Sequence, residues 1–157
     1  MKRLQWKPYV CFIAVTEAVG ALSGFLTRSG TKAYEANIIK PALTPPGSVF
    51  PVVWAILYAL IGIGAARIWL SRPSTMRTRS LLLFVVQLAV NFCWSLLFFN
   101  KQAFGFAFIW LVLLWVLILL MIRTFYKVDP LAAKLQIPYL LWVTFAGYLN
   151  YMVWQLN

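Results

Sequence analysis

Long stretches of this chain carry no charge, and they have the length of a lipid bilayer. Val49–Ala66 runs 18 residues, Ser80–Asn100 and Gln102–Ile122 run 21 each, and Leu135–Asn157 runs 23. Pro8–Thr27 adds 20 residues with one charge, Glu17. A helix needs about 20 apolar residues, at about 1.5 Å rise each, to cross the hydrocarbon core. Five spans are predicted, at 8–27, 49–70, 80–100, 102–126 and 130–154. The period-two alternation of a membrane barrel is absent. Backbone groups in lipid must be paired within the segment, which leaves helices. The predicted fold is an all-α membrane protein, a bundle of five transmembrane helices forming one domain over residues 1–157.

The breaks between the stretches follow local chemistry. Residues 28–48 form the longest connection, with Gly30, Pro41, Pro45, Pro46 and Gly47 as breakers. Asn100–Gln102 is so short that its two flanking helices must form an antiparallel hairpin. Asp129-Pro130 predicts an N-cap followed by proline at the first helical position. Pro138 then falls inside the fifth span, where it cannot donate to the i−4 carbonyl and is expected to kink the helix. The first span begins Met1-Lys2-Arg3 like a signal peptide, but its apolar part is too long for one and is expected to be retained.

Composition sharpens the class. Hydrophobic residues make up 63% of the chain and charged residues 11%. Soluble domains run near 45–50% and about 25%, so a soluble enzyme and a disordered chain are both excluded. Lys and Arg number 14 against 3 Asp and Glu, net +11, with no His. His-based triads and His-containing zinc sites therefore cannot be built within the chain, and no metal or cofactor is expected. Cys11 and Cys93 lie in apolar stretches and are expected to be small buried hydrophobes rather than a disulfide.

The positive charges are distributed unevenly. With five spans, Lys2, Arg3, Lys7, Arg67, Arg72, Arg77, Arg79, Arg123, Lys127 and Lys134 share one side; Arg28, Lys32, Lys40 and Lys101 share the other. The expected orientation is N-terminus cytoplasmic and C-terminus outside, in a bacterial cell membrane. Anchoring to anionic lipid accounts for the charge, and no nucleic-acid partner is expected.

Polar groups inside the spans fall in register. Gln87, Asn91 and Ser95 lie at i, i+4 and i+8, with Trp94 and Phe98 beside them. Tyr139, Trp142, Ala146 and Asn150 form a similar stripe, as do Trp54, Tyr58, Gly62 and Ala65. Amides facing lipid are costly, so these stripes face inward. Spacing alone leaves two roles open: interhelical hydrogen bonding, or the wall of an aromatic-lined pocket with a few polar groups. Trp6, Trp69, Trp110 and Trp154 suit the membrane interface, whereas Trp54, Trp94 and Trp142 suit a pocket. Glu17 sits near mid-span and must be protonated, paired or facing a wet cavity. Gly20 and Gly24 form a GxxxG pair, expected to pack within the chain before serving a dimer.

Three blocks carry a family resemblance. Residues 40–54, Lys40-Pro41-Ala42-Leu43-Thr44-Pro45-Pro46-Gly47-Ser48-Val49-Phe50-Pro51-Val52-Val53-Trp54, closely resemble the KPxWxPPGxVFPxVW signature of the tryptophan-rich sensory protein family, whose animal members are the translocator proteins. Gln87–Phe99 resembles QLxLNxxWSxxFF, and Pro138–Asn150 resembles PYLxWxxFAxxLN. The resemblance covers essentially the whole chain. It implies a five-helix bundle, commonly a homodimer, with a cavity capped by the 28–48 loop. It implies porphyrin as ligand, with cavity walls from Tyr34, Pro45, Trp54, Tyr58, Asn91, Trp94, Ser95, Phe98, Trp142 and Ala146. Departures stand beside it. Leu43 replaces the family's Trp, and the stretch from Tyr34 to Pro41 is one residue longer than in some relatives. No basic residue follows Tyr151, so the proposed cholesterol motif is incomplete and no sterol binding through the tail is expected.

Three function classes follow. The first is an integral membrane receptor or sensor for porphyrins such as protoporphyrin IX and other hydrophobic aromatics, with Arg28, Lys32 and Lys40 in or beside the lid either meeting ligand carboxylates or standing as solvated loop residues. The second is a light- and oxygen-dependent porphyrin-degrading enzyme using Trp54 and Trp142. The third is a transporter of tetrapyrroles or lipids, for which only Glu17 and Pro138 speak.

Overall fold

A computed structural model describes residues 5–157. Lys2 and Arg3, two of the orientation charges, and the signal-like start at Met1 lie outside the described residues. Helices are the only regular elements among the described residues, with no strand. It runs as α1 (Trp6–Leu26), α2 (Arg28–Asn37), α3 (Val49–Trp69), α4 (Thr75–Ser95) continuing into a π-helical turn (Leu96–Asn100), α5 (Phe104–Val128), a short α6 (Pro130–Lys134) and α7 (Ile137–Leu156). Four helices are long and apolar enough to cross a membrane: α1, α3, α4 with its π turn, and α5. The fifth long helix, α7, has 20 residues and no charge, but Tyr, Asn, Trp and Gln side chains lower its hydropathy.

Two expectations about the connections need correction. The 28–48 segment is not all loop: Arg28–Asn37 forms a ten-residue helix before Pro41 and the Pro45-Pro46-Gly47 turn end the regular structure. The expected fifth helix from residue 130 is divided. Asp129 caps α6, its Oδ1 accepting from the Leu131 N–H at 3.1 Å, with Pro130 at the first position. Pro138 then stands in the first turn of α7 rather than inside it. A proline there loses no interior bond, so it starts a helix instead of kinking one. Gln136 fills the junction, its Nε2 donating to the Leu60 carbonyl at 3.1 Å.

The helices are tied by contacts that need small residues or buried donors. α1 lies against α3: a Cβ on Gly62 would stand 2.7 Å from the Ile13 Cα, so glycine permits the approach. In the π turn the Lys101 N–H reaches the Leu96 carbonyl at 3.1 Å, one residue further back than an α-helix allows. The α4–α5 hairpin closes at Gln102, which takes a left-handed φ of 48°. At the end of the bundle away from α2, Arg67 Nε donates to Asp129 Oδ2 at 2.8 Å and joins α3 to the α5–α6 corner.

The core is aliphatic and aromatic, centred on α5 and α7 residues such as Leu114, Ile118, Phe125, Tyr139 and Val143. Of the residues assigned to the membrane interface, Trp6, Trp69 and Trp154 are exposed. Trp110 instead donates its indole N–H to the Val90 carbonyl at 2.8 Å and stitches α5 to α4. Both cysteines are free, and Cys11 is exposed on α1 rather than buried.

Candidate functional site

The inner faces of α1, α3, α4 and α7 do not close on one another beneath α2. They enclose a cavity of about 930 Å³, within the roughly 300–1,000 Å³ of small-molecule sites. α2 and the segment 40–51 roof it. Nine of the ten predicted wall residues come together around it: Tyr34, Pro45, Trp54, Tyr58, Trp94, Ser95, Phe98, Trp142 and Ala146.

Asn91 does not line the cavity and is buried behind it. Its Oδ1 accepts from the Tyr58 hydroxyl at 3.0 Å, and its Nδ2 donates to the Tyr139 hydroxyl at 2.7 Å. Tyr139 in turn donates to Gln87 Oε1 at 2.7 Å, and Gln87 Nε2 donates to the Phe84 carbonyl at 3.0 Å. The α4 stripe therefore divides by depth. Ser95 faces the cavity, while Asn91 and Gln87 bind helix to helix. The α3 stripe divides likewise, with Trp54 and Tyr58 at the cavity and Gly62 against α1.

The rings are held in defined relationships. Trp54 stacks on Tyr58 with centroids 5.5 Å apart, and Trp94 stacks on Phe98 at 5.1 Å. Trp142 meets Phe50 edge-on at 5.8 Å. Trp94 Nε1 donates to Asn150 Oδ1 at 3.0 Å, and Asn150 Nδ2 donates to the Phe104 carbonyl at 2.8 Å, which locks α4, α5 and α7 at one depth.

The lid is docked by side chains. Tyr34 packs on Phe98 at 5.3 Å and edge-on against Phe99 at 5.4 Å. Burial raises the Tyr34 phenol above its ordinary pKa. Gly30 lies against the π turn, where a Cβ would stand 2.6 Å from the Phe99 carbonyl oxygen. Asn100 Nδ2 donates to the Leu26 carbonyl at 3.0 Å. At the far edge of the lid, Asn157 accepts from the Ile39 N–H at 3.1 Å and donates to the Ile39 carbonyl at 2.9 Å.

Of the three cations expected at the lid, only Lys40 lines the cavity. Its Nζ donates to the carbonyls of Glu35 and Ile38 at 3.0 and 3.1 Å and stands 5.0 Å from the Tyr34 ring centre. Arg28 folds back onto Phe25, 4.0 Å over its ring. Leu43 is 67% exposed and lies outside the cavity. Glu17, Gly20 and Gly24 of α1 line it, as do Glu35, Phe50, Pro51 and Leu149. Asn150 stood on a visible stripe and Phe50 inside a motif. Nothing in the spacing pointed to Glu35.

Helices of this length and polarity around an internal ring-lined cavity define a polytopic membrane protein. The chain belongs to the TspO/MBR family, which residues 12–155 match. It is 35% identical over 149 residues to the tryptophan-rich protein TspO of Chlorobaculum tepidum, covering 92% of each chain. It is 38% identical over 126 residues to protein CrtK of Rhodobacter capsulatus, covering 80% of this chain and 79% of the relative. It is 35% identical over 154 residues to the translocator protein of Bos taurus, covering 97% and 91%. Like its family, the chain is an integral membrane protein.

Proposed function

We propose that the chain is a membrane receptor that binds porphyrins, protoporphyrin IX among them, inside the cavity roofed by α2. The convergence of Trp54, Trp94 and Trp142 on one space of about 930 Å³ carries this proposal. A porphyrin is a broad aromatic disc, and indole rings stack on such faces. Lys40 at the lid is the cation placed to meet a ligand carboxylate. α7 is the fifth crossing: 20 residues span about 30 Å. Five crossings put the N-terminus in the cytoplasm and the C-terminus outside, following the Lys and Arg bias. A homodimer surrounded by lipid is the proposed assembly.

Absorbance titration of the purified protein with protoporphyrin IX is expected to saturate, and Trp142→Phe to weaken it. Equal affinity in variant and parent rejects the role of Trp142, and non-saturable uptake rejects the site. Because Trp54 and Trp142 both line the cavity, an excited porphyrin held there would touch two indoles. That arrangement favours photo-oxidative degradation as a second function. Aerobic illumination tests it: bleaching of bound porphyrin no faster than of free porphyrin rejects catalysis.

A further inference from the structure

Eight aromatic rings line the cavity, and the charges set among them are mainly negative. Two carboxylates, Glu17 and Glu35, line the cavity against one ammonium, Lys40. Lys40 directs two of its protons to backbone carbonyls. Among the described residues neither carboxylate has a hydrogen-bond or ion-pair partner; the ion pair present joins Arg67 to Asp129 at the other end of the bundle.

Several wall donors are also turned away from the cavity. Tyr58 donates to Asn91, Trp94 to Asn150, and Asn150 to Phe104. The Thr27 and Thr44 hydroxyls donate to the carbonyls of Ser23 and Pro41 at 2.7 Å each. The indole N–H groups of Trp54 and Trp142 and the hydroxyls of Ser23, Thr31 and Ser95 remain to serve a ligand's acceptors. Ring faces are negative at their centres, and a carboxylate within a set of rings is an environment for an organic cation.

Glu17 is the deeper of the two acids. It lies ten residues before Thr27, about 15 Å along α1 from the lid. Its turn is fixed against Tyr58: Thr16 Oγ1 donates to the Tyr58 carbonyl at 2.7 Å, and a Cβ on Gly20 would stand 2.5 Å from Tyr58 Cε2. Glu35 is exposed at the lid, where water screens it. At the depth of Glu17 the surroundings are apolar, so attraction to a cation is stronger and an unpaired charge is costly. We propose that the cavity binds apolar aromatic amines, with the ring system among Trp54, Trp94 and Trp142 and the protonated nitrogen on Glu17 beneath Tyr58. This goes beyond the porphyrin proposal and does not depend on it.

The test uses the full chain in a non-ionic detergent at neutral pH, free of anionic lipid, with pyrenemethylamine, pyrenemethanol and pyrenecarboxylate as probes of one shape and three charges. The readout is the saturable pyrene emission sensitised by tryptophan. The amine is expected to bind about tenfold tighter than the alcohol, a difference of about 1.4 kcal/mol, and the carboxylate weakest. Glu17→Gln is expected to bring the amine to the level of the alcohol, with the thermal unfolding temperature as the check on folding. Glu17→Asp, which keeps the charge, is expected to keep the preference, and so is Glu35→Gln. Equal binding of amine and alcohol by the parent overturns the proposal. So does a preference that survives Glu17→Gln, or one that Glu35→Gln abolishes instead. Protoporphyrin titration of the same preparations separates the two proposals. An amine preference without porphyrin binding leaves this one standing and rejects the other, and the reverse result does the opposite.

Discussion

Tyr58 faces the cavity with its ring and gives its phenolic proton to Asn91 on the far side, 3.0 Å away. The same residue is part of the cavity wall and the first member of a chain that runs through Asn91 and Tyr139 to Gln87. The chain is a support for the wall, and its members are distinguishable by mutation. Asn91→Leu is expected to lower stability by about 1–2 kcal/mol, because it strands the Tyr58 and Tyr139 hydroxyls among helices. Porphyrin affinity is expected to change less than in Trp142→Phe. Thermal unfolding in detergent, read beside the absorbance titration, checks both halves. A variant that loses porphyrin binding at unchanged stability would return Asn91 to the ligand.

Gly30→Ala sets two effects against each other. Alanine favours α2 by about 1 kcal/mol, but its Cβ would stand 2.6 Å from the Phe99 carbonyl oxygen. Backbone at that distance has to move, so the lid is expected to lift and bound ligand to leave several-fold faster. Stopped-flow displacement of bound porphyrin measures the rate. An unchanged rate with a higher unfolding temperature would mean the lid does not dock this closely.

Leu43→Trp restores the residue found in the family's signature. Leu43 is 67% exposed and lies outside the cavity, so the new ring has no ligand to meet. Porphyrin affinity is expected to stay within about twofold of the parent, as for surface changes generally. A clear gain in affinity would show that residue 43 reaches the ligand when the site is filled.

Tyr34 links the lid to alkaline pH. Burial raises its phenol above the ordinary value, so the folded chain favours the neutral form. The stability this adds is present below the unfolded phenol's pKa, about 10, and is lost as pH rises through the folded value. Unfolding temperature is expected to fall at alkaline pH, and Tyr34→Phe to soften that fall. An identical alkaline profile in the variant would detach the effect from this residue.

Hydrophobic length made the long helices legible, because a charge-free run near 20 residues has few other uses. The lid helix was hidden, since Arg28–Asn37 is polar and short and its order comes from Tyr34 and Gly30 docking on the π turn. Pro138 showed that a break was coming but not its place, because the same proline can kink a helix or start one. The stripes identified what faces inward. They could not rank depth, so Asn91 and Ser95, on one stripe, ended in different roles. Glu35 and the engaged state of Lys40 depend on how the lid folds over the bundle, which periodicity does not encode.

The hydrogen bonds that hold the lid at its two ends come from carboxamides, Asn100 on Leu26 and Asn157 on Ile39. Amides carry no charge and do not titrate, so neither salt nor moderate pH acts on these fastenings directly. Ionic-strength effects on binding therefore report on the charges of Glu17, Glu35, Lys40 and the ligand, not on the opening of the cover.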